Sequence, residues 1–206
     1  MNEQERAARN LETIRSMMQR ATVYRMISGP TALFAGSLAL IWPLLLTNHR
    51  MHWALPWIVL AGVVAVFNTI LVFKKAKREG ENLVTPGLRM GLQAIMAPML
   101  VGAVIGIVAT FSRGGYSPVL LSWIWMLCYG GGLMATVNFA PRSIWWLGLT
   151  FVLSGLYCFY RWPVGIPLWA PHPEPSFSSD LLMQITFGGY HVIYGLYVIF
   201  IENKRS

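Results

Sequence analysis

Residues 184–202 read QITFGGYHVIYGLYVIFIE, and this stretch decides the class of fold. It carries no charge before its last position, and it is long enough to cross the hydrocarbon core of a bilayer as one helix. At about 100° per residue, its small and polar residues fall along one narrow stripe of that helix. The stripe consists of Gln184, Gly188, His191, Gly195 and Glu202. The sequence therefore predicts a transmembrane helix with a small, polar face on an otherwise apolar surface.

Five earlier runs have the same apolar character, so the sequence predicts an all-α polytopic membrane protein with a bundle of six transmembrane helices. Of the 206 residues, 55% are hydrophobic and 12% are charged, whereas a soluble domain has about 25% charged residues. Barrel strands would be about half as long as these runs and would alternate polar and apolar residues. The predicted transmembrane domain, residues 27–201, contains spans at 27–46, 53–73, 90–111, 118–140, 143–160 and 180–201.

The formal net charge of +8 follows the predicted topology. With the N-terminus in the cytoplasm, thirteen Lys and Arg residues lie inside and only three outside, which is the asymmetry of the positive-inside rule. Both termini, including the tail 202–206, are therefore predicted to be cytoplasmic. The basic excess is a topology signal and not a nucleic-acid site, and it predicts contact with anionic lipids of the inner leaflet.

Residues 1–26 are predicted to form an amphipathic basic helix at the cytoplasmic surface, because apolar residues recur at helical spacing. The apolar stripe consists of Ala7, Leu11, Ile14, Met18 and Ala21. The helix either lies on the inner leaflet or docks through this stripe on a partner protein or on its own copy. The candidates for partner or lipid contact are Arg6, Arg9, Arg15 and Arg20 in this helix, and Lys74, Lys75, Lys77 and Arg78 after the second span.

His191 lies near the middle of the last span, where an ionisable side chain is a functional-site hypothesis because its burial is costly. Three roles are open. The ring can ligate haem iron or another metal, or relay protons with Gln184 and with Tyr190 or Tyr194, or form a hydrogen bond to another helix. The candidate polar site comprises His191, Gln184, Asn138, Asn68 and Gln93, and the last three of these are the expected cross-helix partners.

Glycines are concentrated in the third, fourth and sixth spans, where they permit close approach between helices. Three consecutive glycines in the fourth span cost about 2–3 kcal/mol of helix propensity, so close packing, a kink or room for a ligand has to offset them. The candidate packing residues are Gly102, Gly106, Gly130, Gly131, Gly132, Gly188 and Gly195.

No motif for enzymatic chemistry is present in the sequence. It contains no nucleotide-binding glycine pattern, no HExxH and no acidic pair within a span, so enzyme activity is not predicted. His49, His52, His172 and Glu174 fall in predicted outer loops, but no fixed spacing supports a zinc site there, and no metal or cofactor is predicted. Cys128 and Cys158 lie in different spans and are expected to pack as apolar residues.

The chain resembles a group of uncharacterised bacterial integral membrane proteins. The resemblance rests on the six predicted spans and on two segments, TIRSMMQRATVYRMISGP (residues 13–30) and FGGYHVIYGLYVIFIE (residues 187–202). In that group a basic helix leads into the first span and the last span carries a glycine–histidine signature. The resemblance implies the bacterial cytoplasmic membrane and, from neighbouring genes for small winged-helix regulators, a cytoplasmic partner for the N-terminal helix. It transfers no catalytic residue.

The leading functional hypothesis is a non-enzymatic interaction or regulatory subunit. One alternative is a small transporter or proton-coupled carrier that uses His191, with Gln184, Asn138 and Asn68 lining a path. A second alternative is a haem- or quinone-associated subunit of a redox complex.

Overall fold

The computed structural model describes residues 4–6, 9–11, 29–45, 53–79, 86–111, 116–138, 140–161 and 176–203. Every regular element in these ranges is helical, so the predicted all-α class is confirmed. The helices are α1 (Gly29–Leu45), α2 (Ala54–Glu79), α3 (Pro86–Phe111), α4 (Pro118–Ala135), α5 (Arg142–Tyr160), α6 (Ser176–Met183) and α7 (His191–Asn203). A π-helical stretch, Gln184–Tyr190, joins α6 to α7, and we call the continuous segment 176–203 the closing helix.

Helices α2, α3, α4 and α5 and the closing helix, five in all, are long and apolar enough to cross a membrane, as expected of a multi-pass membrane protein. The five candidate spans are Ala54–Lys74, Arg89–Phe111, Pro118–Ala135, Arg142–Tyr160 and Ser179–Ile201. Helix α1 covers most of the first predicted span and is also apolar, but its 17 residues are shorter than the others. At the N-terminus, residues 4–6 and 9–11 are helical and exposed, and the rest of the predicted amphipathic helix lies outside the described residues.

The closing helix lies between the two hydrophobic clusters of the bundle. In one cluster, α4, α5 and α7 meet around Met126 and Phe151, both of which are fully buried. In the other, Ala39 of α1, Trp57 of α2 and Met183 of α6 pack together. Because the closing helix contributes to both clusters, its side chains contact helices on two sides.

Helices α2 and α3 contribute least to the interior. In the most apolar stretch of each span, 11% of the residues in α2 and 17% in α3 are buried, against 28% to 39% in the other three. Helix α2 is held mainly at its N-terminal end, where Asp180 Oδ1 accepts hydrogen bonds from the indole nitrogens of Trp53 at 2.7 Å and Trp57 at 3.1 Å. The backbone N–H of Ala54 donates to the hydroxyl of Tyr116 at 2.9 Å. Burial raises the pKa of the Tyr116 phenol, so this acceptor stays protonated at neutral pH.

We expect Asp180→Asn to lower the free energy of unfolding by about 1 kcal/mol, because hydrogen bonds to a charged acceptor are worth more than those to an amide oxygen of similar shape. The measurement is unfolding by sodium dodecyl sulfate, followed by far-UV circular dichroism. Glu5→Gln is the control, since it removes one carboxylate at an exposed N-terminal position and should change stability by less than about 0.5 kcal/mol. Equal stabilities of Asp180→Asn and the unsubstituted protein would show that the two indoles do not depend on the carboxylate charge.

Candidate functional site

His191 begins α7, directly after the π-helical stretch, and its ring lies among aromatic side chains from three helices. Its ring centroid is 5.4 Å from that of Tyr129 on α4 and 5.7 Å from that of Phe151 on α5. Phe187, one turn earlier on the closing helix, stacks against it at 6.5 Å. The imidazole is therefore part of an aromatic cluster in which α4, α5 and the closing helix meet.

Both nitrogens of the His191 ring are hydrogen-bonded. Nδ1 lies 2.8 Å from the carbonyl oxygen of Phe187, and Nε2 lies 2.6 Å from the hydroxyl of Tyr129. A carbonyl oxygen only accepts, so Nδ1 carries a proton and donates. In the neutral ring Nε2 is then an acceptor, and the Tyr129 hydroxyl donates to it. This pairing satisfies every polar atom of the ring without an ion, and no nitrogen lone pair is left to ligate a metal.

The polar stripe predicted for the closing helix lies largely against α1. Gln184 Nε2 donates to the carbonyl oxygen of Leu40 at 2.7 Å, and Gly188 and Gly195 face Leu40 and Gly29 of the same helix. The Cβ of His191 also lies beside Gly36 of α1, but its ring reaches Tyr129 on α4. The π-helical stretch lies between Gln184 and His191, and its i→i+5 turns advance each residue by less than the 100° assumed for the sequence.

The tyrosines expected to relay protons from His191 are bonded to α5 instead. The hydroxyl of Tyr190 lies 2.7 Å from Ser154 Oγ, and that of Tyr194 lies 3.3 Å from Ser143 Oγ. An open groove of about 500 Å³ runs beside these pairs between α5 and the closing helix. It is lined by Ser143, Trp146, Leu147, Thr150, Tyr190, Ile193, Tyr194 and Tyr197. Because each of the two tyrosine hydroxyls is already hydrogen-bonded to a serine, the surface that the groove offers to a ligand is mainly apolar.

The three amides expected opposite His191 are elsewhere, and that part of the prediction is wrong. Asn68 on α2 and Gln93 on α3 are exposed on the surface of the bundle. Asn138 is exposed in a turn, because α4 ends at Ala135 and not at 140. After Ala135 the backbone bonds reach back only three residues, since the N–H groups of Thr136 and Val137 donate to the carbonyls of Leu133 and Met134 at 3.1 Å. The partner that the sequence argument missed is Tyr129, whose signal was a hydroxyl in mid-span, where such a group needs a hydrogen bond.

The glycines of α1 and the closing helix bring the two backbones into direct contact. A methyl group at Gly36 would lie 2.7 Å from the carbonyl oxygen of Gly188, and one at Gly195 would lie 2.8 Å from that of Gly29. A methyl group at Gly188 itself would lie 2.7 Å from the side chain of Leu40. At Gly36 and Gly195 the nearest atoms belong to the backbone, so only glycine fits there without a shift of one helix, whereas at Gly188 the nearest atoms belong to the side chain of Leu40.

The other candidate glycines pack within the chain as well, with one exception. Gly102 and Gly106 of α3 lie against Trp125 of α4, so the GxxxG pair is already occupied inside the chain. Gly130 contacts Gly148 and Phe151 of α5, and Gly132 contacts Ile95 of α3. A methyl group at Gly131 would meet no atom of another described element within 4 Å.

The remaining candidate residues lie on the surface or outside the described ranges. Arg6, Arg9, Lys74, Lys77 and Arg78 are exposed. Lys75 lies within α2, and Arg15, Arg20, His49, His52, His172 and Glu174 lie outside the described residues. In the part of the chain that the structure describes, no three His, Cys, Asp or Glu side chains come together as a metal site.

Comparison with known proteins adds no family to this picture. No family model, curated protein or solved structure matches the chain. The function is therefore inferred from geometry alone.

Proposed function

We propose that this protein is a non-enzymatic interaction or regulatory subunit of a membrane, which docks a cytoplasmic partner through its N-terminal amphipathic helix. The observation that carries the proposal is the exposure of Leu11. This residue belongs to the predicted apolar stripe, yet 67% of its surface is accessible. Arg6 and Arg9 beside it are exposed too. Leu11 is the member of the predicted stripe that the structure describes, and an exposed apolar side chain on a helix is available to another surface.

The bundle interior supports a structural role for the buried polar groups. His191, Gln184 and Tyr190 each bond to a different helix, namely α4, α1 and α5. A carrier that used His191 would have to break the bond to Tyr129 in each cycle, and a haem ligand would have to give up the same bond. A π-helical stretch often marks a functional position, and this is the one feature that favours the carrier alternative.

The proposal includes six spans, with both termini on the cytoplasmic side. Five of these spans are the candidate spans named above, and α1, the first in the chain, would be the additional one. The contacts of α1 support this assignment. Gly29 lies near Gly195, Gly36 near Gly188, and Leu40 accepts the bond from Gln184, so α1 runs antiparallel to the closing helix. From Gly29 to Leu40 the contact extends over about 17 Å at the rise of an α-helix. A helix that follows a membrane span over this distance is itself embedded in the bilayer. An even number of spans then places both termini on one side.

A photo-crosslinking amino acid at position 11 tests the docking in living cells. We expect a discrete protein adduct there, and none from the same probe at Val63, an exposed apolar position within the α2 span. Deletion of residues 2–22 should remove the corresponding partner from a cross-linking pull-down, whereas deletion of residues 204–206 should retain it. If position 11 forms no protein adduct and the deletion changes no partner, the helix is a lipid anchor and the proposal fails.

A further inference from the structure

The exposed surface of α2 divides into two faces of different chemistry. This helix is the least buried of the five candidate spans, since 11% of the residues in its most apolar stretch are buried. Its large exposed hydrophobic side chains lie together, within an arc of about 80° at 100° per residue. They are Val59, Val63, Val66, Ile70 and Phe73. Bulky apolar side chains of this kind suit contact with lipid tails.

The second face is small and polar, and its residues follow the spacing of a coiled coil. Ala61, Ala65, Asn68 and Val72 are separated by 4, 3 and 4 residues, and we call these four residues the α2 seam. The first three are exposed and Val72 is half-buried. The seam points about 110–170° away from the large hydrophobic side chains. Small residues on such a seam allow a second helix to approach closely within a bilayer.

The bundle packs on a third face of α2. Phe67 stacks against Phe34 of α1 with 4.2 Å between ring centroids, and Leu60 is buried in the cluster that contains Trp57. Phe67 and Leu60 lie about 110–130° from the α2 seam. Beside the seam, a methyl group at Gly62 would meet no atom of another described element within 4 Å. The described helices of this chain therefore leave the seam uncovered.

Asn68 is the polar residue of the α2 seam, and it lies at the depth of the hydrocarbon core. The 21 residues of the span Ala54–Lys74 extend over about 31 Å, close to the thickness of that core. Asn68 is about 9 Å from the Lys74 end along the helix axis. Its amide has no hydrogen-bond partner among the described residues, whereas the neighbouring Thr69 hydroxyl donates to the carbonyl of Ala65 at 2.8 Å. An amide at this depth is costly without a partner.

We propose that the α2 seam joins two copies of this chain about a two-fold axis along the membrane normal. A carboxamide carries both N–H donors and a carbonyl acceptor, so two Asn68 side chains satisfy each other. Copies of one chain with the same topology present Asn68 at the same depth, and the two α2 helices run parallel. In parallel coiled-coil dimers, a single asparagine in the seam also fixes the register.

The properties of lipid and the positions of the charges favour a second copy as the occupant. An acyl chain offers no group that can bond to the amide, so lipid on the seam would leave Asn68 unpaired. Another membrane protein would need a polar side chain of its own at this depth, which a second copy supplies by symmetry. The exposed cations after the span, Lys74, Lys77 and Arg78, lie about 110–150° from the seam. Two copies that meet at the seam therefore keep these cations apart.

Disulfide cross-linking of the full chain in isolated membranes tests the geometry. Ala65→Cys should form a disulfide-linked dimer on oxidation, because the two copies of this position face each other. Val66→Cys lies at nearly the same depth but on the lipid face, so its yield should be lower by at least about fivefold, since a disulfide requires closely spaced backbones. The unsubstituted protein, which retains Cys128 and Cys158, measures the background.

The strength of association is measured separately, by energy transfer between labelled copies over a range of protein-to-detergent ratios. Asn68→Leu should raise the dissociation constant of the dimer at least about fivefold, because both interhelical bonds are lost. Ala65→Leu should raise it further by separating the helices. Asn138→Leu, which removes an exposed amide from the α4–α5 turn, and Val66→Leu on the lipid face should leave it unchanged. All four positions are exposed, and circular dichroism verifies that each variant is folded.

Three results would overturn the dimer. The first is an equal disulfide yield at positions 65 and 66, which would indicate random collision. The second is an unchanged dissociation constant in both Asn68→Leu and Ala65→Leu. The third is a protein that stays monomeric at every ratio, and a photo-crosslink from position 65 to another protein would then assign the seam to that protein. None of these outcomes bears on docking through Leu11, so the two proposals stand or fall separately.

Discussion

Replacing Gly36 and Gly195 together with alanine is expected to lower the free energy of unfolding by about 3 kcal/mol or more. The added methyl group at Gly36 would lie 2.7 Å from the carbonyl oxygen of Gly188 and 2.7 Å from the backbone nitrogen of Val192. The methyl group at Gly195 would lie 2.6 Å from the backbone nitrogen of Leu33. Backbone atoms cannot rotate away as a side chain can, so α1 and the closing helix would have to separate along their contact.

Glycine-to-alanine changes elsewhere supply the control for this prediction. A methyl group at Gly62 or Gly189 would meet nothing within 4 Å. Each of these substitutions should leave stability unchanged or raise it by up to about 1 kcal/mol, because alanine has the higher helix propensity. Unfolding by sodium dodecyl sulfate, followed by circular dichroism, compares the variants. Equal effects at the contact positions and at Gly62 and Gly189 would contradict the packing of α1 against the closing helix.

The separation of α1 from the closing helix should also break a bond that is not at a glycine. Gln184 donates to the carbonyl of Leu40 only while the two backbones are close. An amide left without a partner in the bundle costs about 1–3 kcal/mol in addition to the lost packing. The glycines and Gln184 therefore act on one interface, and their substitutions should be less than additive.

The long apolar helices could be predicted from the sequence because length and uninterrupted apolar character determine them. Helices α2, α3 and α5 and the closing helix match four of the predicted runs closely. Helix α4 is shorter than predicted. The backbone N–H groups of Thr136 and Val137 bond to the carbonyls of Leu133 and Met134, three residues back, so the α-helical pattern stops while apolar residues continue. Hydropathy alone does not register such a change in backbone bonding.

The candidate site was harder to predict, since it depends on where helices contact one another. Gly188 was expected to pack against a helix, but which helix it meets depends on Gly36, and the sequence alone does not pair the two. The π-helical stretch had only the glycine pair 188–189 as a signal, and that pair lowers helix propensity without specifying a π turn. An assumed α-helical period placed Gln184 and His191 on one face, and the structure bonds their polar groups to two different helices, α1 and α4.

The hydrogen bond between Tyr129 and His191 leads to the second large effect. Tyr129→Phe should lower the free energy of unfolding by about 1–3 kcal/mol, because it leaves Nε2 of His191 without a donor in an aromatic cluster. His191→Leu should cost at least as much, since the Tyr129 hydroxyl then has no acceptor and the stacking on Phe187 is lost. The double variant removes both polar partners, so neither is left unpaired. Its loss in free energy of unfolding should therefore be smaller than the sum of the two single losses, by about 1–2 kcal/mol.

Tyr197→Phe is the matched control, because Tyr197 lies on α7, the helix of His191, and its side chain is exposed. Removing its hydroxyl should change the free energy of unfolding by less than about 0.5 kcal/mol. The cycle is measured by unfolding in sodium dodecyl sulfate, together with the photo-crosslink at position 11. If His191 only joins helices, the crosslink persists in every variant that remains folded. Strictly additive costs would show that the two side chains do not form the bond. The carrier alternative would be favoured by a different result. In it the His191→Leu protein folds with full stability but no longer moves protons across a vesicle membrane, whereas the unsubstituted protein does. Only proton transport would then require the imidazole.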